Sequence, residues 1–214
     1  MTARVLLLDG GMGTELRARG VDVPDHITSI WSAQALAEAP HAVAEVHRSY
    51  IDAGADVITL NNYAVTRPLL SREGMDHRFG ELTTKAIDLA RRARDGAQRP
   101  VQIAGSLPPL ATSYRPEEVG EDDEILSQYR EMAEQLAPHV DLLLCETLSS
   151  AREARAAATA ATETGQTVWL SWTLQGQHPD HLPSGEPLTE AFDAVADLEI
   201  DAYLVNCCGA NFVT

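Results

Sequence analysis

The sequence predicts an α/β protein built on a parallel sheet. Six short apolar runs recur along the 214 residues, and stretches of helical spacing separate them. Alternation of this kind implies parallel strands joined by right-handed crossovers. Each apolar run also ends at a polar residue, namely Asp9, Asn61, Ser106, Glu146, Ser171 and Cys207. An open doubly wound sheet and a barrel both gather such strand ends on one ligand-binding face. Spacing alone leaves that choice open.

Residues 4–8 form the first run, continuous enough for a strand buried on both faces. It enters Asp9-Gly10-Gly11-Met12-Gly13-Thr14, a glycine turn that lets backbone come close to a ligand. This is not the dinucleotide fingerprint, because Leu16 stands where the third glycine belongs. Residues 33–53 carry Ala35, Leu36, Ala39, Ala42, Val43, Val46 and Tyr50 at helical spacing, and Gly54 stops them. The second strand is 55–60, ending at Asn61-Asn62-Tyr63. A helix over 81–94 and a third strand over 101–106 follow. The acidic stretch 117–124 reads as solvated loop and helix start, with Ile125, Tyr129, Met132 and Leu136 giving that helix its core face. Strand 140–145 ends at Glu146-Thr147, and the alanine-rich run 151–161 is a strong helix former. The fifth strand is 167–172, followed by a polar loop, a helix over 188–197 and a sixth strand from Ala202.

The sixth strand runs into Asn206-Cys207-Cys208, two of the chain's three cysteines. Neighbouring strand residues face opposite ways. One thiol therefore suits a metal or a nucleophilic role while the other packs. The competing reading makes both small buried apolar groups. By the same alternation Cys145 points away from whatever Glu146 faces. His47 reads as a packing residue. His178 and His181 have metal-compatible spacing, but Pro179 and the polar loop point to the surface.

A formal net charge of −16 argues against nucleic acid and anionic membranes as partners. An odd cysteine count makes no disulfide framework, and reduced thiols fit the cytoplasm. No apolar stretch is long enough to span a bilayer.

The matching blocks are Leu8-Asp9-Gly10-Gly11-Met12-Gly13-Thr14-Glu15-Leu16, Trp31, Pro40, Val46-His47, Tyr50, Ala53-Gly54-Ala55-Asp56-Val57-Ile58 and Asn61-Asn62-Tyr63. They continue through Ala104-Gly105-Ser106-Leu107, Glu146-Thr147, Ser171 and Val205-Asn206-Cys207-Cys208. On these blocks, in this order, the chain resembles the zinc-dependent homocysteine S-methyltransferase family. The resemblance implies a (β/α)8 TIM-barrel type of fold with about six βα units present. It implies one homocysteine-binding domain over residues 1–214, and methyl transfer to the thiolate of L-homocysteine to give methionine. The donor it suggests is S-methylmethionine or S-adenosylmethionine.

Asp9 and Glu146 match the carboxylates that hold the substrate ammonium, with Gly10 and Gly11 beside them. Thr59 and Tyr63 match a substrate-lining strand end. Cys207 matches the first zinc thiolate. Zinc suits the reaction because a free thiol, of pKa about 8.5, is mostly protonated at neutral pH, and coordination removes the proton. The family's other two thiolates are expected beyond Thr214, and six strands do not close an eight-stranded barrel. The expectation is therefore a C-terminally truncated chain, with a partner subunit (a homo-oligomer) or a degenerate, non-catalytic binding protein as alternatives. A metal-free lyase or hydrolase using Asp9 and Glu146 as acid and base is a further alternative.

Overall fold

The computed structural model describes residues 5–24, 30–176 and 178–210. Along the chain lie α1 (Met12–Ala18), α2 (Ala33–Glu38), α3 (Pro40–Asp52), β1 (Val57–Thr59), α4 (Arg67–Arg72), α5 (Phe79–Asp95) and β2 (Gln102–Leu107). Then come α6 (Asp122–Leu136), β3 (Leu142–Leu148), α7 (Ala151–Thr162), β4 (Thr167–Trp172), α8 (Leu188–Asp193) and β5 (Ala202–Val205). The five strands pair in parallel in the order β1-β2-β3-β4-β5. Leu8 adds a sixth position by bridging Val57. A doubly wound sheet reverses its strand order at a switch point. This one never does, so the arc is of the TIM-barrel type.

Strand alternation builds a core on each face of the arc. Ile58, Ile103, Leu143, Cys145, Val168, Leu170 and Trp172 point outward into the large cluster beneath the helices. Val57, Ala104, Leu142, Leu144 and Trp169 point inward, joined by Leu8, Ala202 and Leu204. The inner set is the barrel interior, and the polar strand ends cap it.

Register is held by one device used three times. The N–H of Asp56 donates to Leu7 O, and its Oδ2 accepts the Leu7 N–H at 3.1 Å. Asp141 does the same with Ile103, and Asp201 with Val168, their carboxylates accepting at 2.7 and 2.8 Å. Each aspartate stands just before a strand and grips both backbone groups of one residue on the neighbouring segment. A slip of one residue breaks both bonds at once.

The structure corrects several sequence expectations. Within the first run, residues 5–8 supply a single bridge at Leu8 rather than a buried strand, Val5 is 86% exposed, and Arg4 lies outside the described residues. It lies at the sheet edge, paired only on the Val57 side. The helix expected over 33–53 is two helices. Ala39 leaves helical geometry at φ −137°, ψ 51°, because proline disfavours a helical predecessor and brings no N–H to continue the ladder. The short helices α1 and α4 went unread. Thr66 caps α4 by accepting the Leu69 N–H, a six-residue element too short for periodicity to mark. The helix expected over 188–197 ends at Asp193.

Removing one clamp isolates its contribution. Asp141→Ala should lower unfolding free energy by about 1–2 kcal/mol, as for a lost charge-assisted hydrogen bond. Asp141→Asn, which keeps an acceptor, should lose less. Urea midpoints at constant m-value check both.

Candidate active site

The strand ends open into a cavity of about 560 Å³ whose lining includes Asp9, Gly10, Gly11, Thr59, Tyr63, Glu146 and Cys207. All seven site residues read from the sequence therefore border one space. Asp9 is fixed first through its backbone, whose N–H donates to Val57 O at 3.0 Å. Its Oδ2 accepts the Thr59 N–H at 2.8 Å and its Oδ1 the Thr59 hydroxyl at 3.1 Å. Thr59 thus positions a carboxylate as well as lining the cavity. Glu146, from β3, accepts the Ser106 hydroxyl on Oε1 at 2.5 Å and the Asn206 amide on Oε2 at 3.2 Å.

Both acids are costly to ionise here. Burial pushes the Asp9 carboxyl up to about 7 against the pull of its Thr59 bonds, and the Glu146 charge adds to the rise. Burial likewise lifts Glu146 to about 7, opposed by its Ser106 bond. Two half-buried acids sharing a mouth would each be eased into the ionised form by a neighbouring cation.

Asn206 organises the far wall. Its Oδ1 accepts the Thr147 N–H and the Ser171 hydroxyl, each at 2.9 Å, while its Nδ2 reaches Glu146 and Thr147 Oγ1. Its own N–H donates to Trp172 O. The next residue, Cys207, turns into left-handed backbone at φ 52° and carries an exposed sulfur. Thr147 Oγ1 donates to that sulfur at 3.5 Å. Cys208 is partly buried against the outer core.

Four non-glycine residues among those described have positive φ: Trp31, Tyr114, Thr147 and Cys207. Trp31, Tyr114 and Cys207 line the cavity, and Thr147 bonds to Cys207. Such backbone costs of order 1–3 kcal/mol per residue and collects at functional sites. Aromatic rings form the outer rim. Trp31 meets Tyr63 edge to face at 5.9 Å, and Tyr63 shares a 2.8 Å hydrogen bond with Ser113. Burial raises the Tyr114 phenol, and the neighbouring Cys207 sulfur raises it further.

The glycines serve this rim. A Cβ on Gly13 would stand 2.4 Å from the Trp31 ring, and one on Gly10 2.8 Å from the Tyr50 hydroxyl. The close approach read from the sequence is thus made by protein rings.

Asn206, Ser106, Trp31 and Tyr114 had no assigned role in the sequence, although three of them lie inside the matching blocks. Their parts depend on contacts across the sheet that no local pattern encodes. Asn61 also borders the cavity. Its Nδ2 donates to Ser32 O at 2.9 Å, and its buried Oδ1 has no donor. His178 and His181 stack edge to face in the loop after β4 and are not among the cavity's lining residues. Cys145 is buried in the outer core, and His47 is fully buried, its protonation pushed down to about 4 by burial.

Metal fit is incomplete. A catalytic zinc takes three protein donors. Cys207 offers one, and no group of three His, Cys, Asp or Glu suited to a metal occurs among the described residues.

A barrel-type sheet with an acidic, aromatic-rimmed mouth at its strand ends is an enzyme scaffold suited to a small cationic ligand. The profile of the family described as Homocysteine S-methyltransferase matches residues 6–214. The homocysteine S-methyltransferase of Escherichia coli (strain K12) is 33% identical over 98% of this chain and 71% of its own length. Homocysteine S-methyltransferase 4 of Zea mays is 31% identical over 97% of this chain and 66% of its own. The crystal structure of the homocysteine methyltransferase MmuM from Escherichia coli in its metallated form superposes with a TM-score of 0.86 at 31% identity, covering 98% of this chain and 77% of that one. The chain belongs to the homocysteine S-methyltransferase family, a family of methyltransferase enzymes.

Raised acid pKa values have a thermodynamic signature. The native state holds protons that the unfolded chain releases at ordinary carboxylate pH. The stability from these two groups is therefore full below about pH 4 and lost as pH rises through about 7. Glu146→Gln removes part of that loss. At pH 8 the variant should melt about 3 °C or more above the parent, and near pH 4 the two should agree. The same melting temperatures at both pH values would contradict the site's electrostatics.

Proposed function

We propose that this chain, as one homocysteine-binding unit over residues 1–214, transfers a methyl group to the thiolate sulfur of L-homocysteine and forms methionine. The observation that carries the reading is the pair Asp9 and Glu146 facing one cavity. An α-ammonium group needs charged acceptors in a partly dry site, and its arrival relieves the cost of ionising both. Tyr63 and Thr59 border the same space, which at about 560 Å³ is large enough for an amino-acid acceptor with a donor beside it.

The donor that fits is a sulfonium, S-methylmethionine or S-adenosylmethionine. The acidic mouth favours a cation, and the aromatic residues Trp31, Tyr63 and Tyr114 line the same space, a lining that suits one. In the transfer, the methyl–sulfonium bond breaks and its electron pair stays on the leaving sulfur. The acceptor thiolate supplies the pair for the new carbon–sulfur bond, and its proton goes to solvent. Zinc, if bound, would lower the thiol pKa, and Cys207 would supply one of the donors it needs. The described residues otherwise bind the ammonium, orient the acceptor and exclude water.

A second reading is an amino-acid-binding protein without metal, favoured by Cys207 being the one cysteine that lines the mouth. No helix among the described residues is long and apolar enough to cross a membrane. The free cysteines suit a reducing cytoplasm.

Incubation with zinc, L-homocysteine and methyl-labelled S-methylmethionine should yield labelled methionine. Cys207→Ser should abolish transfer while amino-acid binding persists, and Asp9→Asn should weaken binding about tenfold or more. Undiminished transfer by Cys207→Ser would refute the metal role. Binding without transfer, under any metal loading, would leave the second reading standing.

A further inference from the structure

A second cavity, of about 170 Å³, lies behind the segment that carries Ser113 and Tyr114. Leu110, Val119 and Ile125 give it apolar walls, Gln128 and Glu153 border it from α6 and α7, and its lining also carries Arg115 with the two carboxylates Glu118 and Glu124. Glu153 is 2% exposed. The single Tyr129 hydroxyl proton is shared between Pro108 O at 2.9 Å and Glu153 Oε1 at 3.3 Å. Burial raises the pKa of the Glu153 carboxyl, and the backbone N–H groups of Ser149 and Leu110 act on it as donors that favour its ionised form. Even so, Oε2 of Glu153 and Oε1 of Gln128 are both buried without a hydrogen-bond partner. The Gln128 amide is oriented by its Nε2, which donates outward to Glu124 at 3.3 Å.

Glu153 sits three residues after the α7 cap, where Ser150 accepts its N–H. That spacing accounts for a glutamate at this position. It does not account for a carboxylate oxygen left bare beside a cavity, because a buried acceptor without a donor costs about 1–3 kcal/mol. Two bare acceptors, one on an acid, call for a cationic group with several N–H donors. The apolar walls call for a short hydrocarbon body, and the volume limits it to a few heavy atoms.

We propose that this cavity binds a short aliphatic ammonium ion, whose N–H groups donate to Glu153 Oε2 and Gln128 Oε1 while its chain packs on Leu110, Val119 and Ile125. The site is separate from the methyl-transfer mouth. Residues 110–120 divide the two, with Ser113 and Tyr114 lining the larger cavity and their neighbours the smaller one. Occupancy therefore bears on the back of the segment that places Tyr114.

The test is thermal melting and calorimetric titration of the 214-residue chain with isobutylammonium chloride. Sodium chloride and tetramethylammonium chloride at equal ionic strength are the controls. The proposal expects saturable stabilisation by isobutylammonium alone, retained in the Asp9→Asn/Glu146→Gln double variant. Glu153→Gln should weaken binding about tenfold or more. Gln128→Leu, which leaves the α7 cap intact, should weaken it severalfold and serves if Glu153→Gln does not fold. A response equal to that of the control salts overturns the proposal. So does one that survives both Glu153→Gln and Gln128→Leu, or one that disappears in the double variant of the larger mouth.

Discussion

Two carboxyl groups that are hard to ionise in their own protein set the terms for the rest of the molecule. Asp9 and Glu146 come from distant parts of the chain and meet only because parallel strands deliver their carboxyl ends to one face. Each is held by two hydrogen bonds. Burial outweighs those bonds and lifts both groups to about 7, and the Glu146 charge adds to the rise at Asp9. A cation between them would relieve that cost, and the proposed ammonium site rests on this asymmetry.

Keeping such a mouth open requires a rigid frame. The three aspartate clamps fix strand register at the opposite, amino-terminal ends. The inner and outer cores then hold the sheet from both faces. Asn206 ties β3, β4 and the turn after β5 together, so Glu146 and Cys207 are placed by one amide. The strained backbone at Trp31, Tyr114, Thr147 and Cys207 is tolerated because it sits against this frame.

The sequence announced the strand ends well, because a polar residue closing an apolar run is a local signal. Asp9, Glu146 and Cys207 were singled out this way, and their shared cavity follows from parallel topology alone. The family resemblance then added the ligand. Legibility failed where the deciding interaction is not local. Residues 4–8 read as a buried strand because composition does not say whether a neighbour pairs on both sides, and Leu8 alone bridges Val57. Pro40 split a helix that apolar spacing had joined. Asn206 looked like a turn residue, and its bonds to Thr147 and Ser171 exist only once three strands align. Barrel and doubly wound sheets could not be told apart until the strand order showed no reversal.

Proton release is the most direct measure of the central idea that a bound ammonium forces both acids to ionise. L-Norleucine has the ammonium but no thiol, so its binding isolates the two carboxyls from any metal chemistry. Calorimetric titrations at pH 6.5 in buffers of differing ionisation enthalpy give the protons exchanged per ligand bound. The account predicts net release, approaching one proton or more in the parent and falling by about half in Glu146→Gln. Binding with no proton release, or with proton uptake, would contradict it.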